Sequence, residues 1–262
     1  MAADWHPAAT RDMLEARARL LAAIRAFMAE RDILEVETPA LSPYGNPDPH
    51  LENLTAGDYY LQTSPEFAMK RLLAAGSGSI YQICRVFRGG ESGRRHQPEF
   101  TLLEWYRTGF DHHDLMDEVN ALLLTLGLAG DERLTYAEVF QAGAGLDPHR
   151  AADAELADKA LDLGLAGSGW DRAALLDFLF SHEVMPELGR ECPCLVYDFP
   201  ACQAALARIR PGEVPVAERF ELFIKGMEIA NGYNELTDVS EQESRFREEN
   251  RRRRDRGQPA IA

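Results

Sequence analysis

Ile80-Tyr81-Gln82-Ile83-Cys84-Arg85-Val86-Phe87 and Phe100-Thr101-Leu102-Leu103-Glu104-Trp105-Tyr106-Arg107 are joined by Arg88-Gly89-Gly90-Glu91-Ser92-Gly93-Arg94-Arg95-His96-Gln97-Pro98-Glu99. Both flanks are rich in aliphatic and aromatic residues, and the join is rich in Gly and Arg. This pattern predicts an antiparallel hairpin with a long, mobile tip. Alternation along the second strand puts Phe100, Leu102, Glu104 and Tyr106 on one face and Thr101, Leu103, Trp105 and Arg107 on the other. A face carrying aromatic, acid and aromatic is poor core and suits a ligand floor.

Upstream, Leu20, Ile24, Phe27 and Arg31, widened by Leu21 and Met28, make an apolar helical stripe over about 13–31. A strand at 33–37 closes at Thr38-Pro39, residues 41–57 read as loop, and 59–62 as another strand. Ser64-Pro65-Glu66 opens a helix, with Ser64 as N-cap, Pro65 at the first helical position and an acid in the first turn. Downstream, 115–126 has a helical pattern. Residues 129–215 are less legible: Thr135-x-x-Glu138 is a capping box, helices fit 151–163 and 171–183, and a strand fits 194–199. With no internal repeat or low-complexity linker, this region reads as an insertion within a single domain spanning 1–262. Residues 220–224 and 227–230 are strands around Lys225-Gly226. A turn there pairs 223 with 228 and 221 with 230, placing Glu221 and Glu228 on one face roughly 7–8 Å apart. Asn231-Gly232 competes as the turn. A last helix begins at the box Ser240-x-x-Glu243 and runs into Arg251–Arg254.

The 262 residues carry 28 Lys plus Arg against 43 Asp plus Glu, a formal net charge of −15, which disfavours non-specific nucleic-acid binding. No run of eighteen apolar residues suggests a membrane span, and the start lacks the pattern of a signal peptide. A soluble, cytoplasmic protein is expected. Cys84, Cys192, Cys194 and Cys202 read as structural thiols, His112-His113 as the start of a surface helix, and Arg251–Arg254 as a solvated helix end. There is no Walker loop, dinucleotide fingerprint, zinc-protease motif or nucleophile elbow. What remains is a sheet bearing Arg85, Arg88, Glu91, His96, Phe100, Glu104 and Tyr106, with Glu221, Glu228 and Glu235 in a second hairpin. Arg and His beside paired carboxylates suit a nucleotide phosphate with a divalent metal. Carboxylates there can instead hold a substrate amine, or be surface charge on a half-exposed sheet.

The stretch Phe87–Thr101 resembles the second signature motif of class II aminoacyl-tRNA synthetases. Glu37-Thr38-Pro39 is similar to their first motif, which builds a dimer interface. Glu228-Ile229-Ala230-Asn231-Gly232-Tyr233-Asn234-Glu235-Leu236-Thr237-Asp238 is similar to the lysyl branch. The match runs from about 12 to 256, loosely over 129–215. A helix of catalytic type beginning by residue 13 leaves no room for an anticodon-binding barrel. The chain thus resembles the truncated lysyl-synthetase paralogues that lysylate translation elongation factor P.

The resemblance implies an α+β fold, a class II synthetase-like antiparallel sheet flanked by helices, working as a homodimer through the 12–39 region. It implies ATP-dependent activation of (R)-β-lysine, or lysine, as an aminoacyl-adenylate, with Mg2+, and transfer to a lysine side chain of elongation factor P; tRNA binding is not expected. Ser64, Pro65 and Glu66 would line the amino-acid pocket, with Tyr106, Asn231, Tyr233 and Glu235. Glu66 would lie near the substrate's amino group, and Glu235 would oppose the distal ammonium. Arg88 would bind the α-phosphate; Gly89, Gly90, Glu91, His96, Gln97 and Ile229 would meet ATP, and Phe100 would stack on adenine. Glu221 and Glu228 would hold magnesium and ATP, Arg88 and Glu228 being the catalytic pair.

Two departures stand out. The family commonly reads Arg-x-Glu, whereas Arg88-Gly89-Gly90-Glu91 displaces the acid by one, and Gln97 stands where Asn is usual. Its third motif, a glycine-rich strand followed by Asp-Arg and a helix, does not follow Glu235. Asp255-Arg256 at a helix end is a decoy. The chain stops about where the family enters its last strand and helix, so an exposed apolar edge and a longer natural protein are expected. The alternatives are a catalytically impaired amino-acid-binding or regulatory protein, and lysyl-type tRNA aminoacylation.

Overall fold

The computed structural model describes residues 5–90, 92–93 and 96–261. The chain divides into two compact units, Met1–Gly109 with Phe246–Ala262, and Phe110–Arg245.

In the first unit, α1 (Arg11–Ala29) starts at Thr10, whose Oγ1 accepts the Met13 N–H, and buries Ile24, Phe27 and Met28. It stops before Arg31 because Asp32 takes a left-handed φ of 54°. Arg31 folds back, its guanidinium 3.5 Å from the Phe27 ring centroid. Leu20 is 44% exposed, so the expected stripe reaches the core only in the second half of the helix. Short strands β1 (Leu34–Glu35), β2 (Leu41–Ser42), β3 (Thr55–Ala56) and β4 (Tyr59–Leu61) follow, then α2 (Glu66–Ala74). The decisive hairpin is β5 (Ile80–Phe87) with β6 (Glu99–Tyr106), antiparallel in unbroken register from Ile80 opposite Tyr106 to Phe87 opposite Glu99. β1 adds to β5 in parallel, and β2, β4 and β3 form a small separate sheet. Thr38 of the Glu37-Thr38-Pro39 motif donates to the buried Gln82 of β5 (3.0 Å).

In the second unit, α3 (His112–Thr125) leads into β7 (Glu132–Thr135), a strand the sequence pattern did not reveal, and α4 (Tyr136–Ala144). The Thr135–Glu138 capping box forms as read. Helices α5 (Asp153–Asp162) and α6 (Arg172–Leu179) precede β8 (Cys194–Pro200). Strands β9 (Ile209–Arg210), β10 (Val216–Phe223) and β11 (Glu228–Tyr233) complete a sheet ordered β11-β10-β8-β7, with β9 also pairing β10. Much of this unit's core comes from the weakly patterned 129–215 stretch, where Tyr136, Phe140, Leu156, Leu176, Phe180 and Phe199 are buried together. The last helix, α7, spans Val239–Asp255. Asp238 rather than Ser240 caps it, accepting from Glu241 N (2.8 Å), since an Asp immediately before the first helical residue reaches the orphan N–H groups first.

The turn is Lys225-Gly226, both at positive φ, with Ile224 and Met227 exchanging both backbone hydrogen bonds. Phe223 faces Glu228 as expected, but Glu221 faces Asn231 rather than Ala230, because Ile229 is an extra residue in β11. The shift sets Gly232, not Asn231, opposite Phe220. A Cβ on Gly232 would stand 2.4 Å from the Phe220 ring, so only glycine fits beneath it. Asn231 and Gly232 are paired within β11 and so are not the turn. Gly232→Ala is expected to cost about 1–3 kcal/mol by overpacking and to lower the thermal midpoint by several degrees, measured by calorimetry.

Among the described residues no helix is long and apolar enough to cross a membrane. Cys194 is buried and its thiol is pushed up to about 12, chiefly by that burial, which suits an inert structural role. His112 is buried rather than on the surface, its Nε2 3.3 Å from Asp198 Oδ1. Arg253 is buried rather than solvated, donating to the carbonyls of Pro259 and Asp48.

Candidate active site

The expected site residues fall into two sets, one in each unit. In the first unit they are built on the hairpin and the start of α2. Ser64 Oγ accepts the Glu66 N–H (3.0 Å) and donates to Glu104 Oε2 (2.6 Å). The residue that starts the helix therefore also holds a carboxylate; the helix itself begins at Glu66, one residue later than expected. Tyr106 OH donates to the other Glu104 oxygen (2.8 Å). Glu66 is paired with Lys70 one turn on (2.6 Å), so a substrate amine there would share it. Burial, then the neighbouring Glu66 charge, push the Glu104 carboxyl up to about 7, against the lowering effect of its Ser64 and Tyr106 hydrogen bonds. The sequence places Glu104 on the sheet face but assigns it no role. Its signal was present in the alternation with Phe100 and Tyr106.

Arg88 follows β5 directly. Its backbone N donates to Pro98 O (2.9 Å), its Nε to Thr63 O (3.2 Å), and its guanidinium carbon lies 5.2 Å from the Phe100 ring. No partner of its Nη atoms is present among the described residues. Gly89 lies against Glu52, its N–H donating to Glu52 O (2.9 Å), and a Cβ at Gly89 would be 2.7 Å from the Glu52 carboxyl carbon. Glu52 is thus a carboxylate beside the glycine loop after β5 that sequence spacing could not reveal. His96 and Gln97 are exposed on the tip, and Glu91 lies outside the described residues. Arg85 does not join this set: it lies on the opposite face, opposite Thr101, 3.7 Å from Glu99.

In the second unit, β10 and β11 carry the other set. Arg219, Glu221 and Phe223 stand opposite Tyr233, Asn231 and Glu228. Glu221 is ion-paired with Arg219, both side chains being 13% exposed. Arg219 is packed between the Phe199 and Tyr233 rings, 4.4 and 5.6 Å from their centroids. Burial raises the Glu221 carboxyl to about 7; Arg219 opposes this and the Glu228 charge adds to it. Glu228 is exposed, with Asn231 Nδ2 3.4 Å from its Oε1, and Ile229, the extra residue of the bulge, is 53% exposed. Two carboxylates on one face fit the donor set magnesium takes when phosphate oxygens complete its shell. No group of three or more His, Cys, Asp or Glu arranged for a metal ion occurs among the described residues. Glu235 is half-buried and bridged to Ala207. Arg256, just past the end of α7, lies 3.3 Å from the His50 ring.

A carboxyl whose folded value is raised binds protons more tightly folded than unfolded, so stability falls as pH climbs from about 4.5 to about 7 and is flat above. For Glu104 the loss is at most about 3 kcal/mol. The free protein is expected to show a lower unfolding midpoint at pH 8 than at pH 5.5. Glu104→Gln, which mimics the protonated acid, should remove part of that slope, and a bound cationic amino acid should offset it. An unchanged slope in Glu104→Gln would sink the assignment.

The hairpin thus presents Arg88 beside Phe100, with Glu104 held by Ser64 and Tyr106 on the same strands. The model of the family tRNA synthetases class II (D, K and N) matches residues 2–259, and the chain belongs to this family. It is 50% identical over 268 residues to the elongation factor P–(R)-β-lysine ligase of Histophilus somni (strain 2336), covering 98% of this chain and 83% of that protein. It is 49% identical over 268 residues to the ligase of the same name from Vibrio cholerae, covering 97% and 83%. For that of Erwinia tasmaniensis the values are 50% over 271 residues, covering 98% and 83%.

Proposed function

We propose that this chain is a cytoplasmic, homodimeric ligase that uses ATP and Mg2+ to activate (R)-β-lysine, or lysine, as an aminoacyl-adenylate. It then transfers the acyl group to a lysine side chain of translation elongation factor P. The observation that carries the reading is the half-buried Glu104 carboxylate, held by Ser64 and Tyr106 on the hairpin that presents Arg88. A raised acid beside a second acid is a seat for a cation. The names of the relatives supply the amino acid and the acceptor.

In this reading Ser64, Pro65, Glu66, Glu104 and Tyr106 hold the amino acid together with Asn231, Tyr233 and Glu235, the last opposing the distal ammonium. Phe100 stacks on adenine, and Gly89, Gly90, Glu91, His96, Gln97 and Ile229 contact ATP. The substrate carboxylate attacks the α-phosphorus in line. A C–O–P bond forms, the bond to the β-phosphate bridging oxygen breaks, and pyrophosphate leaves. Arg88 stabilises the charge that develops on the α-phosphoryl oxygens. Glu221 and Glu228 would hold magnesium, which supplies charge neutralisation at the phosphates. The acceptor amine then attacks the acyl carbon, loses a proton and expels AMP. Met13, Leu14, Leu20 and Leu34, all exposed apolar residues in or beside the 12–39 region, support the dimer. The net charge of −15 supports a protein acceptor over tRNA.

The test is amino-acid-dependent ATP–pyrophosphate exchange with (R)-β-lysine, α-lysine and asparagine, followed by transfer of the labelled amino acid to elongation factor P or to tRNA. Exchange with a lysine isomer and label on the factor are expected. Preference for asparagine, or charging of tRNA, would replace the reading with a conventional synthetase activity. Binding without exchange would make the chain a sensor.

A further inference from the structure

The backbone that carries Glu235 is pinned on both sides within one residue of it. Asn234 N donates to Glu218 O (2.8 Å), and Asn234 O accepts from Arg208 N (2.8 Å). Leu236 N donates to Leu206 O (2.9 Å), and Glu235 is bridged antiparallel to Ala207. The Asn234 side chain adds a second bond to the same partner, its Nδ2 donating to Glu218 Oε2 (2.7 Å). Two bonds from one residue to one partner, through backbone and side chain, fix rotation about the strand as well as position. Since adjacent residues point to opposite sides of an extended chain, rotation at 234 would swing the side chain of 235.

Glu218 is itself held. Its side chain is 13% exposed, and its other oxygen lies 3.7 Å from Arg210 Nη1. Arg210 also pairs with Asp198, which lies 3.3 Å from the buried Nε2 of His112. A carboxylate with so little water around it needs these partners, and Asn234 supplies one that carries no charge. Aspartate at 234 would set two carboxylates against each other.

We propose that Asn234, acting through Glu218, is a positioning residue that aims Glu235, and so sets how strongly an amino acid with a distal ammonium is preferred over its uncharged isostere. This rests on the assignment of Glu235 to that ammonium.

The experiment compares wild type, Asn234→Asp, Glu218→Gln, the double variant and Glu235→Gln in ATP–pyrophosphate exchange. The probes are the preferred lysine isomer and its isostere with methyl in place of the distal ammonium. Asn234→Asp is expected to raise KM for the lysine isomer about tenfold or more, leaving kcat and the KM for ATP within about twofold. The double variant keeps total charge and reverses donor and acceptor, with the amide now at position 218 donating to a carboxylate at position 234. Its KM should therefore return to within about threefold of wild type. Preference over the isostere should fall and recover in parallel. An unchanged KM in Asn234→Asp, a proportional loss in kcat and ATP affinity, or no recovery in a folded double variant would overturn the proposal. Glu235→Gln separates the premise. If it keeps the preference in an active enzyme, Glu235 does not face the ammonium and the inference falls with that assignment. If it loses the preference while Asn234→Asp does not, only the positioning role falls. A wild type without exchange overturns both.

Discussion

Arg88→Ala is expected to lower lysine-dependent ATP–pyrophosphate exchange on the order of a thousandfold, the scale set by removing a donor from developing phosphoryl charge. The residue is placed for that work by three contacts, backbone to Pro98, Nε to Thr63 O and the guanidinium over Phe100, none of which uses its Nη atoms. Because Glu104, Ser64 and Tyr106 hold one another without Arg88, amino-acid binding measured by calorimetry should change by no more than about twofold. Arg88→Lys should recover little, since an ammonium cannot both reach Thr63 O and present a planar fork. Exchange retained within tenfold would remove Arg88 from the phosphate site, and parallel loss of amino-acid binding would show that the pocket had collapsed instead.

Gly189→Ala should destabilise the protein by about 3 kcal/mol or more, the sum of a left-handed backbone penalty and an overpacking cost. Gly189 sits at φ 65°, and a Cβ there would lie 2.3 Å from Phe223 O and 2.9 Å from the Ile224 Cα. The neighbouring atom is backbone at the end of β10, so no rotamer change can relieve the clash. The loop is also tied to the hairpin turn, since Lys225 N donates to Gly189 O (2.7 Å) and Gly226 N to Leu188 O (2.8 Å). A fall in the thermal midpoint of roughly 10 °C is expected for a chain of this size. A shift under 2 °C would mean that the loop does not pack on the turn as described.

The β5–β6 hairpin was legible because every element of it is local: paired apolar runs, a Gly-rich join and an acid placed by alternation. The Lys225-Gly226 turn was legible for the same reason, but its register was only half so. Phe223 opposite Glu228 follows from the turn, whereas Glu221 opposite Asn231 follows from the room Phe220 needs over Gly232. Cross-strand packing of that kind has no periodicity to read. Residues 129–215 hid β7 because a four-residue strand ending in a helix cap resembles the cap alone. Among the site residues, Arg88, Glu221, Glu228 and Glu235 were legible as charge on two hairpins, and their individual roles came from the resemblance. Glu52 beside Gly89 and the Asn234–Glu218 pair came only from tertiary structure, since residues so far apart along the chain share no local pattern.

The division of the chain bears on the order in which a ribosome can complete it. Phe110–Arg245 is continuous, so every residue of that unit exists once position 245 has been made. The other unit is interrupted. Its closing contacts, such as Arg253 to Asp48 O across 205 positions and Asn250 with Ile261, need residues 246–261 to be synthesised. Its first 109 residues must wait through the whole of the intervening synthesis with their partner segment unmade. Until residues 246–261 are made, the hairpin bearing Arg88 and Glu104 stands without the returning segment of its own unit.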